Sequence, residues 1–112
     1  MFRVLFAASQ LDNAVSACVN HGGRLAEVKN AFVSGQMVDI SVARQEDIWI
    51  GAIDQGGSWV WVTSQEGVTW TDWGEGEPNS ELPNNCGRIR YWVNGWGDTR
   101  CHREYSYFCE FF

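Results

Sequence analysis

Glu77-Pro78-Asn79 sets a carboxylate and an amide on either side of a proline, and Asp98 follows between Cys86 and Cys101. Oxygen-bearing side chains in that arrangement resemble a cage for a hard cation. Calcium takes its ligands from carboxylates, amides and backbone carbonyls, and an ion held at the surface with open positions accepts sugar hydroxyls. Glu77 and Asp98 could alternatively form a carboxylate pair for glycoside cleavage. That reading asks for a raised carboxyl pKa, which a metal site does not need. No Ser or Cys nucleophile stands beside a candidate His, and the thiols are expected in disulfides. The expectation is a binding module and not an enzyme.

The chain around these residues has 112 positions, enough for one domain over 1–112 with a single core. Seven Trp and twelve Gly favour flat aromatics buried between tight turns over a mainly helical fold. Most of the Trp are expected in the core, with Trp92, just before Asn94-Gly95, the one placed to stack on a ligand. The formal net charge of −6 argues against a nucleic-acid partner, since phosphate binding asks for a basic face. Arg88, Arg90, Arg100 and Arg103 either pair with surface acids or form an anion-binding patch. His21 and His102 read as ordinary surface residues. No apolar run reaches the length of a membrane span, so no membrane insertion is expected. No Asn-x-Ser/Thr acceptor occurs. Four cysteines outside any Cys-x-x-Cys pair suggest a disulfide framework and an extracellular setting, with three pairings open.

Local patterns supply the elements. Residues 1–8 read as a first strand rather than a signal peptide. Ser9 with Asp12 resembles a capping box for a helix whose inner face is Leu11, Ala14, Val15, Cys18 and Val19, ended by His21-Gly22-Gly23. Asn30 can cap a second helix over 31–43 with Val33, Met37 and Ile40 inward. The runs 48–50, 59–62, 89–93 and 107–111 are short, β-branched and aromatic, hence strand-like. Between Thr63 and Asn85 periodicity fades; a loop of that length in a compact domain is often functional. The fold class expected is α+β.

In this order and spacing the residues resemble the C-type lectin domain over essentially the whole chain. The matching pieces are Ala14 and Cys18, Gly22-Gly23-Arg24-Leu25-Ala26, Trp49-Ile50-Gly51, Trp59-Val60-Trp61 and Trp70-Thr71-Asp72-Trp73. They continue through Gly76-Glu77-Pro78-Asn79, Cys86, Gly95-Trp96-Gly97-Asp98 and Cys101 to Tyr107-Phe108-Cys109-Glu110. The resemblance implies two helices flanking small antiparallel sheets, a long loop, and nested disulfides Cys18–Cys109 and Cys86–Cys101. It also implies a cis bond between Glu77 and Pro78, and one calcium ion held by Glu77, Asn79, Asn84 and Asp98. The same four residues, with Trp92, would contact the sugar. A Glu-Pro-Asn triplet marks members that bind mannose, glucose, fucose or N-acetylglucosamine. A carboxylate only accepts whereas an amide nitrogen donates, so their order around the ion selects the geometry of two adjacent hydroxyls.

The chain departs from that pattern at three places, one of them the spacing from Glu77 to Cys86, which is a residue short. Asn84 stands where an acidic residue is usual, and Gly97 stands where an asparagine is usual. Glu81 is the nearby carboxylate that could compensate. Fewer oxygens and fewer charges move calcium affinity toward the millimolar range or abolish it. The segment Asp54-Gln55-Gly56-Gly57-Ser58 offers one acid, too few for the family's auxiliary ion. Three readings follow: a secreted lectin assisted by calcium, sugar binding at the same place without metal, and a protein- or surface-binding domain that keeps only the scaffold. Glycan partners would be held weakly by one site, so an oligomer would serve avidity.

Overall fold

The computed structural model describes residues 2–79 and 85–111. Its elements run β1 (Phe2–Ser9), α1 (Leu11–Asn20), β2 (Gly23–Leu25), α2 (Ala31–Arg44), β3 (Ile48–Gln55), β4 (Ser58–Trp61), β5 (Asn85–Arg90), β6 (Gly95–Arg100) and β7 (Tyr105–Phe111). The strands form one seven-stranded sheet in the order β1-β7-β3-β5-β6, with β2 on β7 and β4 on β3. The sheet is mixed where small antiparallel sheets were expected, because β3 and β7 run parallel while the other pairs are antiparallel.

Strand periodicity divides the core. Side chains alternate across a sheet. Ile48, Ile50 and Ala52 of β3 and Phe108 of β7 face one side, packed with Met37 and Val38 of α2 and with Trp61 and Trp96. Trp49 and the β7 residues Tyr107 and Cys109 face the other, packed with Leu11, Ala14 and Cys18 of α1. With both faces covered, the first five residues of β3 are all buried, as a central strand requires. The Cys18–Cys109 and Cys86–Cys101 disulfides are both formed, nested as the resemblance implied. The outer one ties α1 to β7; the inner one closes the β5–β6 hairpin.

Three local expectations are corrected. Ser9 does not cap α1: it ends β1, its hydroxyl donates back to the Ala7 carbonyl, and Gln10 takes the cap position with no side-chain bond. Val19 is half exposed, so the inner face of α1 is Leu11, Ala14 and Cys18, with Val15 packed half-buried beside them. The inner face of α2 is wider than expected: Met37 is fully buried and Val33 and Ile40 pack half-buried on the core, but Ser34, Val38 and Ser41 are buried as well, both serine hydroxyls having partners inside. The Asn30 cap holds, its Oδ1 accepting the Val33 N–H at 3.0 Å.

A fourth difference bears on function. The expected strand 89–93 ends at Arg90, and Tyr91–Asn94 form a turn with Asn94 at φ 50°. Six paired positions then bring β6 back along β5. Trp92 therefore sits at a hairpin tip, 69% exposed. Asp54 is likewise occupied structurally: Oδ1 accepts the Gly57 N–H at 2.9 Å in the tight β3–β4 turn, where Gly56 and Gly57 both have positive φ.

Candidate functional site at the long loop

The segment leading to Glu77 is nailed to the core by Trp96, which is fully buried. Its ring lies edge-on to Trp61, Trp70 and Trp73, with centroids 6.0, 5.9 and 5.6 Å away. Its N–H donates to the Asp72 carbonyl at 2.8 Å and its carbonyl accepts the Gly74 N–H at 2.9 Å. The indole Nε1–H donates to Ser34 Oγ at 3.1 Å, and that hydroxyl donates to Asp72 Oδ2 at 2.6 Å. Three of the seven Trp are thus fully inside, Trp59, Trp70 and Trp73 pack on the core half-buried, and Trp92 projects.

From this anchor the chain turns through Gly74, whose carbonyl accepts the Glu77 N–H at 3.0 Å, into a cis Glu77–Pro78 bond. The cis geometry agrees with the expectation. The Glu77 side chain lies inward, only 2% exposed. Glu77 Oε2 accepts from Arg90 Nη1 at 2.5 Å, and Oε1 accepts the Asp98 backbone N–H at 3.4 Å. Asp98 is buried, and its Oδ1 accepts the Asn79 N–H at 2.9 Å. Glu77, Asn79 and Asp98 therefore converge, although Asn79 joins through its backbone and leaves its side chain at an exposed position. Asn84 and Glu81, named from the sequence, lie outside the described residues.

Arg90 is the participant that sequence reasoning missed. Its guanidinium pairs with Glu77 and lies 5.0 Å from the centre of the Trp92 ring, which in turn leans on Tyr91. One side chain links the acidic loop to the exposed aromatic. Arg88 is committed as well: Nε pairs with Asp47 Oδ2 at 3.1 Å and Nη1 donates to the Asp98 carbonyl at 2.7 Å. Neither arginine belongs to an open anion-binding patch, and their acidic partners are buried or nearly so, not surface groups. The available signal was spacing: Arg88 and Arg90 sit two apart on a strand, facing a partner strand that carries Gly97.

Gly97 explains how Arg90 gets in. A Cβ there would lie 2.9 Å from Arg90 Cγ, 3.0 Å from the Glu77 carboxyl carbon, and closer still to Arg90 Cδ. The arginine stem fills the space a side chain at 97 would take.

The same geometry tests the expected calcium ion. Glu77, assigned above as a ligand, spends one oxygen on a cation and the other on a backbone N–H. Gly97 offers no oxygen. At about 4 Å and an effective dielectric of about 20, unit charges repel by about 4 kcal/mol, so a dication beside the guanidinium would meet roughly 8 kcal/mol. Among the described residues, no group of three or more His, Cys, Asp and Glu could hold a metal. The described residues do not fit a calcium ion while Arg90 occupies this position.

A cavity of about 530 Å³ lies elsewhere, lined by Phe2, Glu27, Val33, Met37 and Glu110 among others, and contains none of the residues above. The buried Glu27 carboxylate beside it already faces Arg24 at 3.3 Å and Lys29 at 3.4 Å. That cavity is therefore not where the motif chemistry sits.

Comparison with known proteins places this geometry. The Lectin C-type domain model matches residues 7–111. A perlucin-like protein of Mytilus galloprovincialis is 29% identical over 104 residues, covering 87% of this chain and 67% of that protein. An alpha-N-acetylgalactosamine-specific lectin of Patiria pectinifera is 26% identical over 122 residues, covering 97% of this chain and 72% of that one. The mouse scavenger receptor C-type lectin carbohydrate-recognition domain superposes with a TM-score of 0.85 at 21% identity, covering 96% and 84%. Such domains bind carbohydrate without catalysis, and no helix among the described residues is long and apolar enough to cross a membrane. With its nested disulfides, cis proline and tryptophan-anchored loop, this chain belongs to the C-type lectin domain family.

Proposed function

We propose that residues 1–112 form one extracellular carbohydrate-recognition unit that binds glycans where the long loop meets the β5–β6 hairpin. The observation that carries this reading is the chain of contacts Asp98–Asn79, Asp98–Glu77, Glu77–Arg90 and Arg90–Trp92. It sets an exposed amide-bearing residue and an exposed indole around one braced acidic centre. In this reading Trp92 stacks on the apolar face of a sugar ring, Asn79 supplies the polar contact, and Glu77 and Asp98 hold the loop. Asn84 stays a contributor on sequence grounds. The Glu77-Pro78-Asn79 triplet supports sugars of the mannose, glucose, fucose or N-acetylglucosamine type. The Arg90–Glu77 pair favours sugar binding without metal over the calcium-assisted form.

A glycan array run with calcium and again with chelator tests both parts. The expected result is binding of mannose- or N-acetylglucosamine-type glycans in both arms, with N-acetylgalactosamine as the informative competitor given the name of the Patiria pectinifera relative. Signal confined to the calcium arm would support the calcium-assisted form. A blank array in both arms would refute glycan recognition and leave the protein-binding reading. One monosaccharide gives a small contact, so the array is printed densely enough for an oligomer or clustered chains to gain avidity.

A further inference from the structure

We infer that Arg90 is the fixed cation of the long-loop site: its guanidinium takes the electrostatic role of a bound ion, and Gly97 is the vacancy that admits it. Three observations carry this. The Glu77 side chain is almost fully buried, where a lone carboxylate needs a positive partner. Arg90 Nη1 supplies that partner. Its Cγ and Cδ lie where a Cβ at 97 would stand, so the missing side chain and the added charge are one change and not two. A planar guanidinium is always charged and offers five donors in a fixed fork. It can therefore hold Glu77 while lying over Trp92, which a spherical ion held by oxygens could not do.

Two consequences follow. The loop keeps its shape with or without calcium, and the orientation of Trp92 depends on Arg90. The site is the one proposed above for glycans and the inference rests on that reading for its location. Its test reads stability and calcium alone, so either can fail while the other stands.

Thermal unfolding of the whole chain is recorded with about 10 mM calcium and with chelator, a range in which even a millimolar site would raise Tm. The wild-type Tm should not change. Arg90→Met, which keeps the stem and removes the charge, should lower Tm by roughly 10 to 20 °C because it strands a buried carboxylate. Arg90→Met/Glu77→Gln should recover part of that loss, and Arg90→Ala/Gly97→Asn, which also clears the stem from the space beside position 97, should acquire a Tm that rises with calcium. A wild-type Tm raised by calcium would overturn the inference. So would an Arg90→Met variant as stable as wild type. If Arg90→Met does not fold, the Glu77→Gln double variant decides: folding supports the inference and failure overturns it.

Discussion

Replacing Ser34 by alanine isolates what holds the long loop to the domain. In the native chain Ser34 Oγ accepts the Trp96 indole N–H and donates to Asp72, so one hydroxyl joins α2, β6 and the loop. Ser34 and Trp96 are fully buried. After the substitution the indole N–H has lost its acceptor with no water in reach, which costs about 1–3 kcal/mol. Asp72 is half-buried, and solvent can replace part of its lost bond; this adds about 1 kcal/mol at most on the same scale. Alanine is the better helix former, which returns a few tenths of a kcal/mol up to about 0.5 kcal/mol. The net expectation is a loss of about 2–3 kcal/mol, or roughly 8 to 15 °C in Tm for a chain of this size. Ser41→Ala makes the control. It sits on the same helix, equally buried, but its hydroxyl serves only the Glu46 carbonyl, so the cost should be nearer 1 kcal/mol. Urea unfolding followed by circular dichroism measures both. A double-mutant cycle with Trp96→Phe, which removes the indole donor, should show coupling of about 1 kcal/mol. If Ser34→Ala costs under about 0.5 kcal/mol, or the cycle shows no coupling, the hydroxyl bridge does not anchor the loop.

Trp92→Ala should leave stability within about 0.5 kcal/mol, since the ring is mostly exposed, while weakening glycan binding about tenfold on the array; unchanged binding would remove the indole from the site. Opening the inner disulfide with Cys86→Ala/Cys101→Ala should cost about 3 kcal/mol and opening the outer one with Cys18→Ala/Cys109→Ala about 4–5 kcal/mol, because the closed segments differ in length, 15 against 91 residues. The order of the two urea midpoints checks this. Gly23→Ala should destabilise by several kcal/mol, since a Cβ there runs into the Glu110 carbonyl and the Phe111 ring at the β2–β7 pairing, and backbone cannot step aside as a flexible side chain can. A folded Gly23→Ala variant with an unchanged midpoint would contradict that packing.

What the sequence disclosed and what it hid divide along one physical line. Features carried by a residue's own type were readable: Asn30 as a cap, Gly22 at φ 86° after α1, apolar runs for β3 and β7, and disulfide-bonded cysteines. Ser9 misled because its hydroxyl bonds backward within two residues as readily as it caps forward, and only the end of β1 decides between them. Gly95–Arg100 sets its two strand-forming residues, Trp96 and Thr99, among two glycines and an aspartate, so its strand state rests on pairing with β5, and propensity could not report it. The functional group failed in the same way. Glu77, Asn79 and Asp98 were legible as a motif, but what the Glu77 carboxylate faces is set by a residue 13 positions on, whose access depends on an absent side chain at Gly97. Read alone, Gly97 is a lost ligand and Arg90 a surface charge. Read together, they are a substitution of one positive charge for another, which is why a site that has lost an oxygen keeps its buried acid and its cis bond.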